Sequence, residues 1–144
     1  MLNYTKLLHC TNTDSVLNHN LNDTTPEQAI EYLLSYPIKC EITITTLISI
    51  IFSDEYVTRQ LYTLLNSSVL FRLSDIIIKC LFQYLIDNKI EQFYIVFNII
   101  ARNKYVTTTV LKNMFYLDFK DNKYKEIIDN AMILECLTTK NAAK

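Results

Sequence analysis

The chain has 144 residues, half of them hydrophobic, which is enough for one domain with a sizeable core. Its 14 basic and 15 acidic side chains leave a net charge of -1, which excludes the strong basic field that holds nucleic acid. Glycine is absent and proline occurs only at Pro26 and Pro37, so phosphate-cradling loops and the tight turns of a many-stranded β-protein lack their usual residues, and an all-α fold is expected.

Residues 1–11 carry Leu2, Leu7 and Leu8 and read as a short helix, and 12–24, rich in Asn, Asp and Thr, as a loop or weak helix. The start Met1-Leu-Asn-Tyr-Thr-Lys-Leu-Leu-His-Cys10 has neither the basic opening nor the apolar run of a signal peptide. No later uncharged run reaches the roughly 18 residues of a membrane span, so a cytoplasmic, intracellular protein is expected. Thr25-Pro26-Glu27-Gln28 then supplies a capping residue, a proline at the first helical position and a glutamine three residues after the cap. The helix it starts runs to about Tyr36, stops before Pro37 and buries Ile30, Leu33 and Leu34.

The segment Cys40–Phe52 alternates β-branched residues in a manner that suits a strand over 41–46, yet Ile44, Leu47, Ile48 and Ile51 form a helical stripe. With no second strand to pair with, it is read as a helix. Ser53 is expected to cap the next helix, with Asp54 and Glu55 in the first turn and Val57, Leu61, Leu64 and Leu65 inward. Asn66-Ser-Ser68 ends that helix and opens the most apolar stretch of the chain, Ser68–Asp87, whose polar residues Arg72, Asp75, Lys79 and Gln83 fall on one narrow stripe. A helix so apolar is covered on most sides. Ile90–Asn103 repeats the pattern, with Glu91, Asn98 and Arg102 as its stripe and Phe93, Ile95, Val96, Phe97, Ile99 and Ile100 requiring cover. Val106–Leu117 is amphipathic, Asp121 caps a last helix with Tyr124, Ile127, Ile128, Ala131 and Leu134 inward, and 138–144 is a frayed tail.

Seven to eight short helices around two buried central ones, near 70–87 and 90–103, is the fold this predicts. Leu33-Leu-Ser-Tyr-Pro-Ile38 aligns with Leu81-Phe-Gln-Tyr-Leu-Ile86, and Ile50-Ile-Phe-Ser-Asp-Glu-Tyr-Val-Thr58 with Ile99-Ile-Ala-Arg-Asn-Lys-Tyr-Val-Thr107. The period, about 48 or 49 residues, lies near the range of helical repeats that stack to share one core. In pattern, residues 26–137 resemble a miniature HEAT/armadillo-like α-solenoid, with helical units at 26–66 and 69–117 and a closing helix at 121–137 in a single helical domain. A compact bundle fits the same helices, and in size and lack of glycine the chain also resembles virus-encoded Bcl-2-like proteins, without their Asn-Trp-Gly-Arg signature.

No catalytic constellation emerges. His9 and His19 are the only histidines, and Cys10, Cys40, Cys80 and Cys136 form no Cys-x-x-Cys pair, so no metal or cofactor is expected and the cysteines read as buried, reduced thiols. Asn3-Tyr-Thr, Asn22-Asp-Thr and Asn66-Ser-Ser match the glycosylation pattern, by chance in a chain without an export signal. Ten tyrosines, among them Tyr56, Tyr62, Tyr105, Tyr116 and Tyr124 near helix ends, suit a surface that is half dry and half wet. The solenoid resemblance implies a concave side lined by the third helix of each unit, which places Arg59, Thr63 and Asn66 with Thr108, Lys112 and Asn113 in a groove for a protein partner segment. A non-catalytic adaptor or complex subunit is the expected role, and the alternative is a viral decoy that sequesters an amphipathic host helix. Abundant Ile, Asn, Lys and Tyr with scarce Ala, Arg, Pro and Gly points to an A/T-rich genome, as in many large DNA viruses and intracellular parasites.

Overall fold

A computed structural model describes residues 23–114 and 117–135. The expected first helix, both histidines, Cys10, Cys136, Tyr116 and the tail lie outside them. The described residues form seven α-helices and no strand: α1 Pro26–Ser35, α2 Glu41–Phe52, α3 Glu55–Leu65, α4 Asp75–Asn88, α5 Ile90–Arg102, α6 Thr108–Asn113 and α7 Asn122–Glu135, with a 3-10 turn at Ser68–Arg72. The chain divides into two compact units, residues 1–61 and 62–144, with the boundary inside α3. No described helix is long and apolar enough to cross a membrane.

In the first unit α1 packs on α2. The capping box expected at Thr25 is present in both directions: Gln28 N donates to Thr25 Oγ1 at 3.1 Å and Thr25 N donates to Gln28 Oε1 at 3.0 Å. The segment 41–52 is helical as expected and buries Thr43, Ile44, Leu47, Ile48, Ile51 and Phe52. Its β-branched and hydroxyl residues are accommodated because Thr46 and Ser49 donate back to the carbonyls of Ile42 and Thr46, at 2.8 and 2.7 Å. The next cap differs from the sequence reading. Ser53 closes α2, its hydroxyl donating to Ile50 O at 2.6 Å, and Asp54 caps α3 by accepting from Val57 N at 2.9 Å. With only two residues between the helices, one hydroxyl serves the outgoing carbonyls and one carboxylate the incoming amides. Thr58, buried, donates to Ile51 O at 3.0 Å and ties the start of α3 to the end of α2.

In the second unit α4 packs on α5, and α7 packs on both. The core between α4 and α5 is a triangle of Phe82, Phe93 and Phe97, with ring centroids 5.8 to 6.1 Å apart. Three expectations about these helices are corrected. The stretch from Ser68 is not one helix: Ser67 Oγ accepts from Val69 N and starts the 3-10 turn, Leu73 and Ser74 are extended, and α4 begins at Asp75. Gln83, placed on the wet stripe by periodicity, is buried, and its Oε1 accepts from Lys120 N at 3.1 Å. The second rod, α5, buries one face only, through Phe93, Val96, Phe97, Ile100 and Ala101; Ile95 is 46% exposed, with Tyr94 and Ile90 also outward. Those buried positions repeat at spacings of three, one, three and one, so the helix is amphipathic in the ordinary way.

Asn103 joins the elements of this unit. It is fully buried, its amide nitrogen donates to Leu65 O at 2.8 Å and to Ser67 O at 3.0 Å, and its Oδ1 accepts from Tyr105 N at 2.8 Å. Leu65 O at the end of α3 is thereby satisfied from 38 residues away, and Ser67 O, which already accepts from Leu70 N at 3.2 Å, gains a second donor. The last turn of α3, Tyr62–Leu65, belongs to the second unit, as does Asn103. The matched Tyr-Val-Thr segments differ in local structure, Tyr56–Thr58 lying in the first turn of α3 and Tyr105–Thr107 in the connection before α6. Thr107 then caps α6, accepting from Val110 N at 3.1 Å. α7 starts as expected at Asp121, whose Oδ1 accepts from Lys123 N at 3.0 Å. It buries Tyr124, Ile128, Ala131 and Met132, while Leu134, expected inward, is 64% exposed.

The cysteines are of two kinds. Cys80 is a buried thiol, whereas Cys40 is disulfide-bonded to a residue outside the described ones. The expectation of four reduced thiols is corrected at Cys40, and with it goes the argument from cysteines for a reducing compartment.

Replacing Asn103 by Asp keeps the bond from Tyr105 N but turns a donor into an acceptor facing two carbonyls. A loss of about 2–3 kcal/mol is expected in urea unfolding, larger than that of Asn103→Ser, which retains one donor. Thiol labelling of the denatured, unreduced chain is expected to modify Cys80 and to spare Cys40 until the chain is reduced, read by peptide mapping.

Candidate functional site

The described residues of the second unit include two clefts and a polar cluster. The first cleft, about 310 Å³, lies between the 3-10 turn, the start of α4 and α6. The break at Leu73 and Ser74 makes its near wall: the 3-10 turn places Leu70 beneath and leaves Phe71 52% exposed, and Ile78 follows one turn into α4. Val110 and Asn113 on α6, with Met114 and Leu117 beyond it, make the far wall. Seven of the nine lining residues are apolar, and the two polar ones are Asp75 and Asn113. An apolar cavity with a small number of placed polar groups is the usual make-up of a binding site.

The second cleft, about 380 Å³, lies between the end of α3 and α5 and is polar: Tyr62, Thr63, Asn66, Asn98 and Arg102 surround Ile99. Burial pushes the Tyr62 hydroxyl above its ordinary value.

The six residues expected to share one groove are not gathered in a single cleft. Thr63 and Asn66 line the polar cleft and Asn113 the apolar one. Thr108 and Lys112 lie on α6 outside both walls. Arg59 belongs to the first unit, exposed and paired with Glu55 at 2.6 Å within α3. Sequence reading missed Phe71, Leu73, Val110 and Met114 as cleft residues, because an apolar side chain on a helix reads as core until its neighbours are known. One signal was present: Ser74-Asp75 is a helix start, which separates the 3-10 turn from α4.

The polar cluster joins α4 to α7. Tyr124, placed at a helix margin by its sequence position, is 1% exposed, and its hydroxyl donates to Asp87 Oδ2 at 2.5 Å. Lys123 Nζ reaches Asp87 Oδ1 at 2.8 Å and lies 5.0 Å from the Tyr124 ring centroid. Partial burial works against the Asp87 charge, but the bonds from Lys123 and Tyr124 and the charges of Lys123 and Lys120 outweigh it and hold the carboxyl below its usual value. Lys123 is held above its ordinary value, chiefly by the bond to Asp87. Burial first, and then the same carboxylate, raise Tyr124. This is a structural latch, with no open volume beside it among the described clefts. Among the described residues no group of three or more His, Cys, Asp or Glu is placed to hold a metal ion.

Because Asp87 titrates lower in the folded chain than when unfolded, the latch stabilises the fold in the neutral range and is lost as the pH falls through that lowered value. Asp87→Asn is expected to cost about 1 kcal/mol near neutrality. The gap between variant and parent should narrow as the pH falls through the lowered value of Asp87, measured as urea midpoints across pH.

No protein-family model matches the chain, and neither a curated protein nor a solved structure matches it significantly.

Proposed function

We propose that the chain is a non-catalytic protein-interaction module that seats the apolar side chains of a partner segment in the cleft between the 3-10 turn, α4 and α6. The observation that carries this reading is the apolar wall itself, with Phe71 projecting at its margin instead of packing inward. Leaving a side chain of this size half in water gives up about 1–2 kcal/mol of burial that a partner would recover. Of the six residues expected from the sequence, Asn113 stands on this cleft, and its amide offers both a donor and an acceptor to a partner backbone.

The described lining of the first cleft is mostly apolar side chains with a single carboxylate, a make-up suited to binding. The net charge of -1 supports a protein partner over nucleic acid. Recognition of a helix in a groove serves an adaptor and a decoy equally, and the cleft beside the most apolar helix is the feature that the decoy alternative requires.

Val110→Arg places a charge on the far wall from a half-buried position. It is expected to leave the helical circular dichroism signal unchanged and to weaken capture of a bound partner or selected peptide by tenfold or more, about 1.4 kcal/mol or above. Equal capture by variant and parent would remove the proposal.

A further inference from the structure

Asn66-Ser67-Ser68 matches the acceptor pattern of N-glycosylation, and three structural features set it apart from a chance match. The first is its place. Asn66 and Ser68 are exposed in the connection that follows α3, and Ser67 between them is extended, with φ -129° and ψ 178°. The second is the asparagine amide. The backbone N–H of Asn66 donates to Tyr62 O and Thr63 O, both at 3.2 Å, but its side chain makes no hydrogen bond among the described residues. Other asparagines of this unit are engaged: Asn88 Nδ2 donates to Tyr84 O at 2.9 Å, and Asn103 donates to two carbonyls and accepts from an amide. Asn66 therefore takes a bulky group without breaking a bond or uncovering the core. The third is the disulfide at Cys40, since such bonds form and persist in the oxidising compartments where N-linked sugars are also added. Cys40 belongs to the other unit, so its bond is an observation independent of the pattern around Asn66.

We propose that Asn66 is an N-glycosylation acceptor, modified where the chain passes through an oxidising, membrane-bounded compartment. The Asn66 Nδ2 forms a bond to the anomeric carbon of the first sugar of a lipid-pyrophosphate-linked oligosaccharide. The bond from that carbon to the pyrophosphate oxygen breaks, the lipid pyrophosphate leaves, and the amide gives up one proton. Ser68 supplies the hydroxyl that the transferring enzyme requires two positions on. Asn66 lines the polar cleft and is absent from the wall of the apolar one, so the sugar and a docked partner have different sites.

The test expresses the full chain in cultured animal cells from its own complete reading frame and treats the recovered protein with peptide-N-glycosidase in heavy-oxygen water. Release of the sugar leaves a heavy-labelled aspartate, which peptide mapping assigns to a position. The expected result is label at position 66 and a faster gel mobility after treatment. Both should be lost in Ser68→Ala and in Asn66→Gln and kept in Ser68→Thr. Ser68→Ala alters one exposed hydroxyl and leaves the asparagine in place, so its loss of label reports the acceptor pattern. An unlabelled Asn66 in the parent chain would overturn the proposal, as would label at that position that persists in Ser68→Ala. Label confined to Asn3 or Asn22 would overturn the assignment to Asn66.

Discussion

The carboxamide of Asn103 is the bond on which the second unit depends. Leu65 O at the end of α3 would otherwise be left without a donor, and the amide of a residue at the end of α5 satisfies it and adds a second bond to Ser67 O, while its own oxygen closes the turn that follows. A buried amide with all its groups matched costs little, whereas a buried helix-end carbonyl left unpaired would cost on the order of 1–3 kcal/mol. The position of this residue fixes where α5 ends, how the chain turns toward α6, and therefore where the far wall of the apolar cleft stands.

The remainder of the unit is arranged around that tie. The phenylalanine triangle between α4 and α5 supplies non-directional burial, and polar contacts at the edges give it register. Gln83 reaches the backbone before α7, and Asp87 holds the first turn of α7 through Tyr124 and Lys123. Both residues lie on α4, four positions apart, so one helical face of α4 positions α7 by hydrogen bonds. At its other end α4 leaves its acid unpaired beside the apolar cleft. A helix held firmly at one end, with an open apolar wall at the other, suits a scaffold that keeps a docking surface rigid.

The distribution of exposed apolar groups also bears on binding. Phe71 stands at the cleft, while Tyr94 and Ile95 on α5 and Ile133 on α7 lie elsewhere on the unit. Exposed apolar residues scattered singly are ordinary in folded proteins, whereas a concave apolar wall with placed polar groups is less so. That difference separates the cleft from the other outward-facing side chains.

Much of the local structure was legible in the residues themselves. The capping box at Thr25 and Gln28, the helix over 41–52, the start of α7 at Asp121 and the absence of strands among the described residues follow from caps, periodicity and the lack of glycine, all of which act over a few residues. The caps around residue 53 and the break before Asp75 were present in the sequence but ambiguous, since serine and aspartate compete for the same role within two positions. What only the tertiary structure decided is which apolar faces find cover. Periodicity marks Ile95 and Leu134 as apolar, but exposure depends on contacts between segments tens of residues apart, and for those the sequence carries no local signal. The bond from Asn103 to Leu65 and Ser67 is of the same kind: asparagine before a turn is unremarkable in sequence, and its weight comes from the helix end that folding brings to it.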